Sequence, residues 1–165
     1  MLIIGLGNPE RKYGNTRHNV GHMFIDELEN EKPDDFILAK TDAFMNLSGQ
    51  SVKKIIQKSK IKNQNLIVVH DDIDIPLGEF KIQQGRGAAG HKGVQSIIDE
   101  LGTKDFWRIR IGICPKGRRP ENVEKFVLQK FSKGEKEILK GVIKKIINDI
   151  SLMSDVKRWT SLSNV

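Results

Sequence analysis

The chain holds one cysteine, Cys114, in 165 residues. A lone thiol excludes an internal disulfide framework and zinc-finger spacing. No apolar run approaches the length of a membrane span. The first strand-like segment starts at Met1, so no signal peptide is expected. There is no repeat, no low-complexity tract and no Gly-x-Ser-x-Gly elbow for a serine nucleophile. Gly5-Leu6-Gly7 opens like a dinucleotide-binding loop, but the third glycine of that fingerprint is missing. Glu10 stands in its place, with Pro9 before it. A cytosolic location is the default expectation.

Hydrophobic residues make up 38% of the chain and charged residues 30%. That balance and this length fit one domain with a real core, spanning 1–165, with the polar tail 154–165 expected to be loose. The net charge of +7 exceeds what solubility requires. It points to a polyanionic partner, nucleic acid first and anionic membrane second. Some of the lysines solvate a helix instead. Ile138, Val142, Ile146 and Ile150 recur every fourth residue as a core stripe, and Lys136, Lys140, Lys144 and Lys145 lie off it.

Strand and helix patterns alternate along the chain. Strands are expected at Met1–Gly7, Phe36–Ala39, Leu66–Val69, Glu79–Gln84 and Trp107–Cys114. Helices are expected at Asn19–Glu31, from an N-cap at Ser48 to Lys60, after Gly93, near Asn122–Leu128 and from about Glu135. Leu66-Ile67-Val68-Val69 is apolar without alternation, as in a central strand. The expected fold is α/β: a single domain with a twisted, mixed, mostly parallel sheet and helices on both faces.

Polar chemistry gathers in four segments. These are Asn8 with His18, Phe44–Gly49, His70–Gly78 and Gly85–Gly93. In open α/β sheets, ligands bind beyond the carboxyl ends of the strands. Asn8 follows the first strand and Asp71 the most apolar one. His18 precedes a helix, where a capping or core role competes with a functional one. A carboxylate beside an imidazole fixes its tautomer and suits a general base acting on water. Asparagine amides can hold a carbonyl or an oxyanion. A glycine-rich loop carrying Arg86, His91 and Lys92 suits a phosphate-bearing substrate. His70, Asp71, Asp72 and Asp74 could hold a metal, but no second histidine stands at useful spacing nearby. Cys114 reads as packing.

Together these segments resemble the bacterial-type peptidyl-tRNA hydrolases. The resemblance rests on Gly5–Pro9, Tyr13, Thr16–Gly21, Phe44–Gly49, His70–Gly78 and Arg108–Gly112, in that order. It implies hydrolysis of the ester between a peptide and the tRNA ribose, by a monomer without metal or cofactor. By position, it implies His18 as catalytic base and Asp71 as its partner. Asn8 and Asn46 become the amides that position substrate and water, and Tyr13 and Met45 walls of the peptide channel. His91 becomes the histidine of a mobile rim loop, and Arg110 a contact to the tRNA 5′ phosphate.

The chain departs from that pattern in three places. Lys92 replaces an asparagine after His91. Gln83 stands where a basic residue would join Arg110, with Lys81 nearby. The segment between the first helix and Phe44 is short, with Asp42 in a stretch where the family reads Lys-Pro-x-Thr, so one sheet edge is expected to be trimmed. The alternative function is a non-catalytic RNA-binding paralogue, since relatives of the family serve as intron-splicing factors in chloroplasts. Lys92 and Gln83 leave it open, whereas Asn8, His18, Asn46 and Asp71 together argue for catalysis. A generic small-substrate esterase would not need the net charge.

Overall fold

The computed structural model describes residues 1–31 and 35–151. The polar tail from Ser154, and Pro33 with Asp34, lie outside the described residues.

Five strands form one sheet in the order β2-β1-β3-β5-β4. They are β1 (Leu2–Gly5), β2 (Ile37–Lys40), β3 (Leu66–Pro76), β4 (Phe80–Gln84) and β5 (Trp107–Cys114). All neighbours pair in parallel except β4, which runs antiparallel along β5 at one edge. The unalternating apolar runs in β1 and β3 are buried on both faces, which is why they lack a polar side. The other edge is the four-residue β2, in which Ile37 is exposed.

Helices α1 (Val20–Asn30) and α5 (Lys133–Ser151) cover one face. Val20, Phe24, Ile25 and Leu28 from α1 and Val142, Ile146 and Ile150 from α5 share a core with Ile67, Val69, Ile109 and Ile111. Helices α2 (Ser48–Ser59) and α3 (Lys92–Leu101) cover the other face, where Val52, Val94 and Ile97 pack on Leu2, Ile4, Leu66 and Val68. A short α4 (Val123–Val127) is capped by Asn122, whose side chain accepts from the Lys125 amide at 2.9 Å.

Three sequence expectations change. Ile138 is exposed rather than part of the α5 core stripe, which begins at Leu139 instead. Ser48 is the first residue of α2 rather than its cap, because a 3-10 turn over Met45–Leu47 leads straight into the helix. Its hydroxyl donates to the Met45 carbonyl at 2.7 Å, within that turn. Asp71 does not follow its strand but lies inside it, in register with Ile111 of β5.

This geometry builds a crevice. β1 pairs with β3 only as far as Gly5 and Val69, while β3 runs on beside β5 alone. From β1 the chain passes to β2 on one side, and β3 joins on the other, so the strand order reverses between β1 and β3. Ligand sites form at such a point in open α/β sheets. The N-terminus of α1 sits directly over it because two glycines meet there. A Cβ on Gly21 would lie 2.4 Å from the Leu6 nitrogen and the Val69 oxygen, and one on Gly5 would lie 2.2 Å from the Gly21 oxygen.

Candidate active site

The crevice opens into a cavity of about 620 Å³ whose wall includes Asn8, His18, Met45, Asn46, Asp71, His91 and Lys92. These residues come from five separate stretches of chain. Tyr13 and Arg110, which the resemblance also put at the site, are not among its lining residues. Tyr13 is half-buried, with the Lys12 ammonium 4.9 Å from its ring centroid. Arg110 lies on a sheet face, where its Nε donates to Asp72 at 2.7 Å and its Nη1 to the Gln83 side-chain oxygen Oε1.

His18 Nδ1 lies 2.9 and 3.0 Å from the two oxygens of Asp71. Asp71 is 2% exposed. Burial alone would protonate it, but the His18 charge and the hydrogen bonds from His18 and His91 hold it far below the usual carboxylate range. An ionised carboxylate only accepts, so Nδ1 carries the proton and Nε2 keeps the lone pair. Burial pushes His18 down, but the Asp71 charge and hydrogen bond outweigh it and raise His18 above its ordinary value, with the Lys92 ammonium opposing.

A second imidazole reaches the same carboxylate. His91 Nε2 lies 2.9 Å from Asp71 Oδ1. His91 is also the N-cap of α3, its Nδ1 accepting from the Val94 amide at 3.3 Å. That cap assigns the lone pair to Nδ1, so Nε2 is the atom that donates to Asp71. His70 stands behind it, ring centroids 4.7 Å apart, with its Nδ1 2.7 Å from the Asp71 carbonyl. Burial, helped by the Arg108 charge, holds His70 well below its ordinary value. The donor atoms of His18, Asp71 and His91 lie within 4.8 Å of one another, a span that could hold a metal ion. Both contacts to Asp71 are nevertheless filled by ring protons, and the cap on His91 fixes one of them. We therefore read the group as hydrogen-bonded.

Asn8 is held from both sides. Its amide nitrogen donates to Asn19 Oδ1, Asn19 Nδ2 donates back to the Asn8 carbonyl, and Asn8 Oδ1 accepts from the Met45 amide, all at 2.9 Å. With its oxygen taken, the side chain presents its NH2 group as the remaining polar handle. The bond to Met45 also ties Asn8 to the turn that carries the exposed Asn46.

His18 is anchored from the far end of the chain. The adjacent Arg17 is buried. Its Nη2 bonds both Glu135 oxygens at 2.7 and 2.9 Å, and its Nη1 the Lys130 carbonyl at 3.0 Å. Phe126 packs 4.2 Å from its guanidinium. Thr16 and Lys130 form an isolated antiparallel bridge.

The cavity is also lined by Val123, Glu124, Val127 and Leu128 of the α4 region. Lys92 Nζ lies 2.5 Å from Glu124, and both side chains are exposed. Sequence reasoning assigned no role to Asn19, Arg17 or this wall. Asn19 adjoins His18 in the chain, but nothing in its spacing announces Asn8 as its partner.

The family model for peptidyl-tRNA hydrolase matches residues 2–34 and 28–164. A peptidyl-tRNA hydrolase of Thermodesulfovibrio yellowstonii is 44% identical, over 91% of this chain and 90% of its own. One from Clostridium botulinum strain Alaska E43 is 41% identical, over 90% and 86%. The crystal structure of peptidyl-tRNA hydrolase from Acinetobacter baumannii superimposes with a TM-score of 0.83 at 29% identity, covering 98% of this chain and 91% of that one. The chain belongs to the peptidyl-tRNA hydrolase family.

Proposed function

We propose that this protein hydrolyses the ester linking a peptide to the tRNA ribose, with His18 as general base. The observation that carries this reading is the His18 Nδ1–Asp71 contact at 2.9 Å, which leaves Nε2 as the basic atom on a residue lining the cavity. Nε2 takes a proton from water as the water oxygen bonds to the ester carbonyl carbon. The oxyanion that forms is met by the Asn8 amide, with Asn46 across the same cavity. The carbon–oxygen bond to the ribose then breaks, and the imidazolium gives its proton to the leaving ribose oxygen, which becomes the hydroxyl. Asp71 stabilises the imidazolium meanwhile without taking the proton.

Met45 and the apolar α4 wall suit the peptide portion. His91 and Lys92 line the same cavity, where Lys92 offers a cation to the RNA. Arg110, outside the cavity, is proposed to meet a tRNA phosphate, and Tyr13 to lie along the peptide's exit. No cofactor or metal is required by this scheme. A monomer acting in the cytosol goes with it, and no helix among the described residues is long and apolar enough to cross a membrane. Catalysis is preferred to the RNA-binding paralogue because a buried carboxylate held between imidazoles is costly, and RNA binding has no use for it.

The test is turnover of peptidyl-tRNA against aminoacyl-tRNA by the wild type and by His18→Ala. The variant should lose about 10² to 10⁴ in kcat with tRNA affinity nearly unchanged. Near wild-type turnover would remove His18 from the mechanism.

A further inference from the structure

We propose that His91 is a positioning residue that sets the strength of the His18 base by occupying part of the Asp71 carboxylate. The inference rests on the reading of His18 as the base and adds a control on it. Asp71 Oδ1 accepts from His18 Nδ1 and from His91 Nε2, each at 2.9 Å. The imidazole rings lie 4.9 Å apart. Each hydrogen bond donated to a carboxylate draws charge from it. While His91 is docked, less of the Asp71 charge is available to favour the proton on His18.

The other groups facing His18 do not replace this donor. Lys92, next to His91, opposes the imidazolium through its charge. Arg17, on the His18 turn, is committed to Glu135 and the Lys130 carbonyl. His70 touches His91 edge-on and bonds the Asp71 backbone, not its carboxylate. Only His91 shares the carboxylate itself among the described residues. It also follows a glycine-containing loop: Gly85 and Gly90 have positive φ, and a Cβ added at Gly85, Gly87 or Gly90 would meet nothing within 4 Å. When the ring leaves, Asp71 is returned to His18 and the base strengthens. The site is thus a weaker base with the His91 ring on Asp71 than without it.

Two amide substitutions divide the ring's two functions. Asparagine places a polar atom near Nδ1, so His91→Asn retains the α3 cap and gives up the donor to Asp71. Glutamine places its NH2 near Nε2, so His91→Gln retains the donor and gives up the cap. The measurement is the NMR titration of His18 in the free protein, together with the chemical shift of its Nδ1 proton. His91→Asn should raise the His18 midpoint by about half a unit or more and move the Nδ1 proton downfield. His91→Gln should leave both near wild type. The acid limb of kcat/KM should move with the midpoint. An unchanged midpoint in His91→Asn, an equal shift in both variants, or a rise without the downfield move would overturn the proposal. Because the titration needs no turnover, its failure is distinct from an active His18→Ala, which would instead overturn His18 as the base.

Discussion

Asn8 and Asn19 hold each other by two reciprocal hydrogen bonds of 2.9 Å, backbone to side chain in both directions. Asn19 is 1% exposed and does not line the cavity, so its effect on the reaction passes through Asn8. Asn19→Asp keeps the acceptor and loses the donor, leaving the Asn8 carbonyl unpaired. We expect kcat to fall about 10-fold to 10²-fold with KM changed less. A variant that loses only stability would confine Asn19 to the fold.

The pH profile of the reaction follows from His18. Only the neutral ring can accept a proton, and Asp71 raises its value above the ordinary 6.5 despite burial. The acid limb of kcat/KM should therefore lie above that figure, with activity rising through neutrality. Asp71→Asn should lower both the limb and the rate. A limb well below 6.5 would mean that some other group is being titrated.

Acid stability has a different origin. Burial and the Lys40 charge lower His22 to about 4, and burial keeps His70 neutral as well. Unfolded, both rings take up protons near the ordinary 6.5. Their stabilisation is present above that value and is lost as pH falls toward each folded-state value. His18, being raised, runs the other way, its contribution fading as pH rises through its folded value. Asp71, being lowered, gives way only in strong acid. The melting temperature should drop between pH 6.5 and 4, and His22→Asn should flatten that drop. An equally steep drop in the variant would acquit His22.

Gly21→Ala tests the packing that seats the site. A methyl there meets the Leu6 and Val69 backbones at 2.4 Å, and no side chain can rotate away to admit it. The cost should be about 1–3 kcal/mol in denaturant unfolding, or more, since α1 must lift. Activity should fall with it because His18 precedes that helix. An unaffected variant would mean that α1 slides freely over β1.

Lys92 and Glu124 form an exposed pair, so Lys92→Asn should leave stability nearly unchanged. Its effect should appear in RNA binding. Affinity for tRNA should fall, and its salt dependence should flatten by about one phosphate contact. Glu124→Gln should do the opposite, because it releases the ammonium from a competing anion. Equal binding by both variants would leave Lys92 without a role in holding RNA.

The legible parts of the sequence were those with a local cause. Leu2-Ile3-Ile4 and Leu66–Val69 announce buried strands by their lack of alternation, and Val20, Phe24 and Leu28 mark the face of α1. The grouping of Asn8, His18 and Asn46 could be anticipated because each lies on a strand exit or loop, and Asp71 joined them on a reading that placed it just past its strand. Its place within β3 could not be anticipated, because His70-Asp71-Asp72 looks like a loop until its distant partners are known. His18, His91 and Arg110 supply the protons and charge that let those carboxylates sit in a strand. Ser48 read as a cap because a 3-10 turn leaves no signature separate from the helix after it. Tyr13 and Arg110 came from positional resemblance, which assigns a role without a distance, and both fall outside the cavity wall.

The tie between Arg17 and Glu135 spans 118 positions of the chain. A ribosome therefore makes His18 early and its anchor late. Until α5 emerges, Asp71 can already occupy β3, with Asn8 just past the end of β1, while the turn bearing His18 lacks its clamp. A nascent chain halted before Glu135 should be compact in part yet unable to cleave an ester, including one joining a peptide to tRNA on the machine that is building it.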